Sequence, residues 1–249
     1  MNWTARASGG VPRFFAGFAP ALALAALCTC GMPFTPGSAA ADDIKVDAST
    51  FDGLRARSIG PAIMSGRVAA IDGIAGDRIT LYVGAAGGGV WKSVDGGTTF
   101  KSVFDKYCQS IGAICIDPTN PKTVWVGAGE TWTRNSVSIG DGIYKSTDGG
   151  DNWQKMGLDS TERIARIAVD PQHPETVYVA ATGHLWDDST QRGLYRTRDG
   201  GRSWQRVLYA DAQTGCADVV LDAKDPQTVY ASMWTFRRKP QSLCGWTIP

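Results

Sequence analysis

The sequence predicts an all-β protein: a β-propeller of four-stranded antiparallel blades, incomplete at about three and a half. Two observations predict it. A short motif returns at near-constant interval, and composition favours turns and packed strands over helices, with 30 Gly, 12 Pro and 9 Trp among 249 residues. The motif is carried by SVDGGTTF (93–100), STDGGDNW (146–153) and TRDGGRSW (197–204). Its aspartates, Asp95, Asp148 and Asp199, lie 53 and 51 residues apart. A Gly-aliphatic-aromatic-basic element precedes each: GVWK, GIYK, GLYR. A second element repeats in step, as DPTNPKTVWVGA (117–128), DPQHPETVYVAA (170–181) and DAKDPQTVYAS (222–232).

Each unit resolves into four strands. Strand A is apolar: VAAID (68–72), IGAICID (111–117), IARIAVD (164–170) and CADVVLD (216–222). Strand B follows at 79–84, 123–128, 176–181 and 228–232. Strand C is the aromatic-basic element, and strand D begins at Phe100, Trp153 or Trp204. Near-continuous apolar character in A and B implies burial on both faces, as in stacked sheets. Blades are expected at about 66–106, 107–159, 160–211 and 212–236. The last stops after strand B, so 237–249 reads as a truncated or aberrant tail. A ring that does not close exposes an unpaired edge and is expected to aggregate.

The repeated motif has a mechanical reading. A carboxylate in a tight turn accepts backbone N–H bonds between strands C and D. Gly97, Gly150 and Gly201 supply the positive φ, and the closing aromatic packs between neighbouring sheets. Asp95, Asp148 and Asp199 are therefore scaffold residues, recurring once per repeat.

Residues 1–41 read as a cleaved export signal: Arg6 and Arg13 without an acid, the apolar stretch 14–32 broken by Pro20, and Ala39-Ala40-Ala41 before Asp42. Residues 42–65 form an N-terminal segment, and the protein is expected to be secreted or periplasmic, with no membrane association after cleavage. Cys108, Cys115, Cys216 and Cys244 remain, with pairing open and Cys115 expected in the core. Charge is balanced, 25 Lys+Arg against 24 Asp+Glu, with no basic cluster, which argues against a nucleic-acid partner. Two His and no ligand spacing or nucleotide fingerprint indicate neither a metal nor a cofactor.

Chemistry is expected in the B–C loops, which share one face of a propeller. The first unit has only Ala86-Gly87-Gly88, whereas the second carries 129–141, the third 182–192, and the fourth begins similarly at 233–239. These insertions hold Glu130, Trp132, Arg134, His184, Trp186, Asp187, Asp188, Trp234, Arg237 and Arg238. Flat rings beside charged groups suit a carbohydrate, and Glu130 with Asp187 or Asp188 is the candidate carboxylate pair for glycoside hydrolysis. Solvated loop charges, with tryptophans pinning the loops or meeting a protein, are the alternative. His184 beside Asp187 is a further candidate pair, and His173 reads as an A–B turn residue.

The pattern [ST]-x-D-x-G-x-[TSN]-[WF], three times in register over roughly 66–236, resembles the Asp-box or BNR repeat. That repeat is shared by sialidases, xyloglucanase-type glycoside hydrolases, sortilin-type receptor domains and photosystem II assembly factors. The DP-x-x-P-x-T-V-[WY] flank and SIGPAIMSGRV (58–68) look most similar to exported sortilin-like or xyloglucanase-like glycosyl hydrolases. The resemblance implies a propeller that binds, and as an enzyme hydrolyses, a polysaccharide. A non-catalytic propeller binding proteins or peptides is the alternative it leaves open. Arg57-Ser58-Ile59-Gly60-Pro61 departs from the sialidase Arg-Ile-Pro element.

Overall fold

The computed structural model describes residues 67–74, 79–133 and 137–239. The expected signal, the segment 42–65, Arg134 and Cys244 lie outside them. Strands run in the expected order. The first sheet is β1 (Val68–Ile74), β2 (Thr80–Ala85), β3 (Gly89–Ser93) and β4 (Lys101–Ser102). The second is β5 (Ile111–Ile116), β6 (Val124–Ala128), β7 (Ile143–Ser146) and β8 (Gln154–Lys155). The third is β9 (Ile164–Val169), β10 (Val177–Ala181), β11 (Gly193–Thr197) and β12 (Gln205–Leu208). Among the described residues the fourth has two strands, β13 (Thr214–Leu221) and β14 (Val229–Thr235). Every pairing is antiparallel between chain neighbours, as in propeller blades.

Both repeated elements are carboxylate turns. In the A–B turns, Asp117 Oδ1 accepts from Thr119 N, Asp170 Oδ1 from Gln172 N and Asp222 Oδ1 from Lys224 N, each at 2.8 Å. His173 belongs to this turn, its Nδ1 3.4 Å from Asp170 Oδ2.

The C–D turns are more tightly wired, and alike. Asp95 Oδ1 accepts from Thr99 N, Asp148 Oδ1 from Asn152 N and Asp199 Oδ1 from Ser203 N, each at 2.9 Å. The hydroxyl of Ser93, Ser146 or Thr197 donates to the same carboxylate and accepts from the N–H of Gly97, Gly150 or Gly201. Those glycines have φ of 91°, 92° and 96°, where an L side chain is strained. Charge-assisted bonds favour the ionised acid. The Thr99 bonds hold Asp95 down to about 2, the Asn152 bonds hold Asp148 at about 2, and the Ser203 bonds hold Asp199 below the usual carboxylate range.

One apolar cluster fills each gap between successive sheets. Tyr82, Val90, Phe104, Ile111, Val126 and Trp153 fill the first. Trp125, Ile143, Ile164, Val179 and Tyr195 fill the second, and Tyr178, Leu194, Cys216 and Val219 the third. Each fully buried large side chain contributes roughly 1.5–3 kcal/mol of transfer free energy. The turns clasp across these gaps. Tyr82 Oη and Lys92 Nζ of the first sheet donate to Gly149 O of the second turn at 2.8 and 2.7 Å, and Trp153 Nε1 donates back to Val103 O at 2.9 Å. One step on, Lys145 Nζ donates to Gly200 O at 3.3 Å and Trp204 Nε1 to Met156 O at 2.7 Å.

Two expectations need correction. Burial of A and B strands on both faces holds for β6 and β10, buried throughout, but not for β1, β13 or β14, which lack a sheet on one side among the described residues. For the same reason Phe100 does not pack between sheets. It is 43% exposed, whereas Trp153 is 8% exposed.

Candidate functional site

The enlarged loops leave the B strands at one end of the sheets. The second is fastened at its base by Glu130, whose N–H donates to Ser110 Oγ at 3.0 Å. The Glu130 side chain turns inward, is 2% exposed, and accepts from Arg67 Nη2 just ahead of β1. A candidate catalytic acid thus sits in a half-buried ion pair spanning two sheets. Two residues on, Trp132 points outward at 62% exposure. Asp141 closes the loop and accepts from Tyr144 Oη at 2.6 Å; burial, then this bond, pushes the Tyr144 phenol up.

The third loop is built on a residue that sequence reasoning missed. Arg192 is fully buried, and its guanidinium is consumed by main-chain carbonyls. Nε donates to Ala212 O at 2.7 Å, Nη2 to His184 O and Asp187 O at 2.5 and 3.0 Å, and Nη1 to Thr182 O. Burial lowers its pKa from the usual guanidinium value. The available signal was a long cationic side chain directly before the strand C glycine, Gly193, where the other units have Gly88 and Asp141.

On this frame Trp186 is 37% exposed, and Asp187 and Asp188 are exposed. Asp188 Oδ1 meets Arg237 Nε at 2.5 Å, so two candidate residues pair with each other. His184 does not pair with Asp187 as expected. Its Nε2 lies 3.2 Å from Ser160 O and 3.6 Å from Glu162 Oε1, because the connection from β8 to β9 lies alongside the loop. Glu162 has φ of 57°, unusual for a side chain of its size, and its Oε2 accepts from the buried Arg163 at 2.5 Å.

Trp234 is misplaced by the sequence reading. It lies on β14 opposite Gly215, not in a loop, and its ring meets Phe236 edge-on at 5.5 Å. Arg237 and Arg238 follow the strand, donating main-chain N–H groups to Gln213 O and Leu185 O.

Cys108, Cys115 and Cys216 are free. Burial pushes their thiols up, Cys115 to about 12 and Cys216 to about 11, the opposite of an activated nucleophile. Cys115 is partly buried and packs against the second apolar cluster. Among the described residues no group of three or more His, Cys, Asp or Glu side chains converges to hold a metal ion, and no helix is long and apolar enough to cross a membrane.

Sheets of this order, joined by paired turns, match a known repeat architecture along most of the described chain. Residues 88–241, more than half of the chain, match the sortilin-Vps10 family model, described as sortilin, neurotensin receptor 3. The chain belongs to the sortilin-Vps10 family. This family member is also similar to xyloglucanases at low identity. One, a probable oligoxyloglucan-reducing end-specific xyloglucanase of Neosartorya fischeri, is 27% identical over 139 residues, 51% of this chain and 15% of the relative. Another, a xyloglucanase of a Paenibacillus species, is 27% identical over 143 residues, 56% of this chain and 13% of the relative. The chain therefore spans a small part of the curated relatives it matches. Among solved structures, an ancestral GH74 enzyme superposes with a TM-score of 0.55 at 21% identity, covering 71% of this chain and 23% of that one. That likeness concerns the fold. The chain is a glycosyl hydrolase-like propeller of the sortilin type.

Proposed function

We propose that this chain is part of an exported propeller that recognises a polysaccharide through its B–C loops. The observation that carries the reading is the contrast among tryptophans. Trp125 and Trp153 are spent between sheets, while Trp132 and Trp186 stand exposed on the two enlarged loops, beside Asp187 and His184. Exposed flat rings with neighbouring acceptors suit sugar faces and hydroxyls. The xyloglucanase relatives support the choice of ligand class. Arg134, in the same loop as Trp132, and Trp234 and Arg237, at the end of β14, extend the candidate contact set.

Hydrolysis is a further step. Glu130 with Asp187 or Asp188 remains the candidate pair, and Glu130 must leave Arg67 to reach a glycosidic oxygen. Binding without turnover is therefore the expected behaviour of the chain alone. The test is retention on immobilised xyloglucan and related β-glucans, with reducing-sugar release measured in parallel. Trp132→Ala and Trp186→Ala should each lower retention, and unaltered retention in both would sink the proposal. The sortilin family match favours a second reading, peptide binding on the same loops. Failure to bind any glycan together with capture of an extended peptide would select it.

A further inference from the structure

Successive sheets are entered in the same way. The residue before strand A offers its carbonyl to the first N–H after strand B: Ser110 O to Gly129 N at 2.8 Å, Arg163 O to Thr182 N at 3.2 Å, and Gln213 O to Phe236 N at 3.0 Å. A bond that recurs once per unit is scaffold. The side chain one position earlier does not recur. It is Gln109, Glu162 and Ala212 in the second, third and fourth sheets, so an acid stands there once. Gln109 is spent within its own connection, its Nε2 donating to Phe104 O and Tyr107 O at 3.0 and 2.9 Å. Glu162 is aimed elsewhere.

Glu162 lies where the two enlarged loops meet. Its carbonyl accepts from Gly140 N of the second loop at 2.7 Å, and only a glycine at 129 leaves room for that oxygen. Its Oε2 is held by Arg163 Nη1, which also reaches Gly183 O, at the base of the third loop, at 3.4 Å. These contacts over-determine the costly φ of 57°. Oε1 is left over. It faces His184 Nε2 at 3.6 Å, too far for a hydrogen bond, and the Glu162 and His184 side chains are 27% and 29% exposed. His184 Nε2 lies 3.2 Å from Ser160 O. A carbonyl can only accept, so Nε2 carries the proton, and in the neutral ring Nδ1 is an acceptor. The half-exposed pair therefore presents two acceptors, and Trp186 follows two residues on.

We propose that Glu162 and His184 form a subsite between the two enlarged loops that accepts hydrogen bonds from adjacent hydroxyls of a neutral sugar. The inference rests on the polysaccharide reading above and supplies its ligand chemistry. Two acceptors select a ligand that brings two donors. The Arg163 guanidinium behind Glu162 offsets the carboxylate charge, which favours a neutral diol over an ammonium group. The hydroxyl that meets Glu162 makes a charge-assisted bond, the stronger of the two.

Titration calorimetry of the full chain with xyloglucan oligosaccharides, native and O-methylated, tests this. Methylation removes the hydroxyl donors and keeps the ring faces on which tryptophan stacks. Glu162→Gln must turn its amide oxygen to Arg163, so it presents a donor where the carboxylate accepts, and binding should weaken by about 10-fold or more. His184→Ala leaves the Glu162–Arg163 pair in place, so it keeps the fold, and should weaken binding by about 5-fold. Methylation should weaken wild-type binding by at least as much and cost both variants clearly less, whereas a purely structural role gives all three proteins the same methylation penalty. That equal penalty overturns the subsite, as does tighter binding of chitosan oligomers through the same two residues. Unchanged affinity in both variants, with Trp132→Ala and Trp186→Ala still weakening it, overturns the subsite and leaves polysaccharide recognition standing. A wild-type chain that binds no glycan overturns both.

Discussion

Strands β10 and β14 grow from nearly the same sequence, TVYVAA (176–181) and TVYASM (228–233), yet Tyr178 is 8% exposed and Tyr230 61%. The difference lies in what stands opposite, since the fourth sheet covers Tyr178 and no described sheet covers Tyr230. Turns show the same contrast. Trp153 is held between two sheets and Phe100 by its own hairpin alone, although the bonds within their turns match. Secondary structure here is local to the unit, whereas most stabilisation belongs to neighbouring pairs, as in other repeat proteins.

The sharpest way to break this comparison is truncation of the two aromatics. Trp153→Ala should cost about 3–5 kcal/mol in urea unfolding, the range for emptying a packed aromatic site, and Phe100→Ala about 1 kcal/mol or less. Equal losses would mean the turns, not the gaps, carry stability. Next come the glycines. Gly201→Ala forces a strained φ and drives a methyl group into Trp125, so about 2–3 kcal/mol is expected, against about 1 kcal/mol for Gly97→Ala, which shares the strained φ but meets nothing closer than Leu81 at 3.4 Å. Glu130→Gln should cost about 1–2 kcal/mol, less than a fully buried pair, because the Arg67 side chain is 36% exposed and water compensates part of the loss.

Acid sharpens the comparison further. Asp95 and Asp148 are both depressed to about 2 in the fold, below an unfolded value of about 3.9. Their stabilisation is therefore complete above about pH 4 and is lost as pH falls through about 2. Thermal midpoints should be level from neutrality to about pH 4 and then drop, with Asp148→Asn and Asp95→Asn blunting that drop to a similar extent. The smallest effect is expected at the loop tip, where Trp132→Ala should shift stability by less than about 0.5 kcal/mol.

Much of the fold was legible because its signals are short-ranged. Each carboxylate turn is contained within a dozen residues, and each aspartate bonds groups two to four positions away. Enlarged loops were legible by subtraction, once the units were aligned. What each loop residue does was not, because the deciding partners are distant in sequence. Glu130 meets Arg67 across 63 positions, and His184 turns to Glu162 on a connection with no repeat signature. Trp234 was misplaced because strand B of the fourth unit outlasts its apolar stretch, and no following strand C marked its end. Exposure at the array ends depends on neighbours rather than on composition, so Phe100 and Tyr230 looked like core residues.

The four carbonyls gathered on Arg192 make the third loop a rigid handle rather than a floppy one. Freezing an eleven-residue excursion upon contact with a ligand would consume much of the binding energy. Here that ordering is completed during folding, so Trp186 and Asp187 arrive already aimed, and whatever lands on them sacrifices only its own freedom.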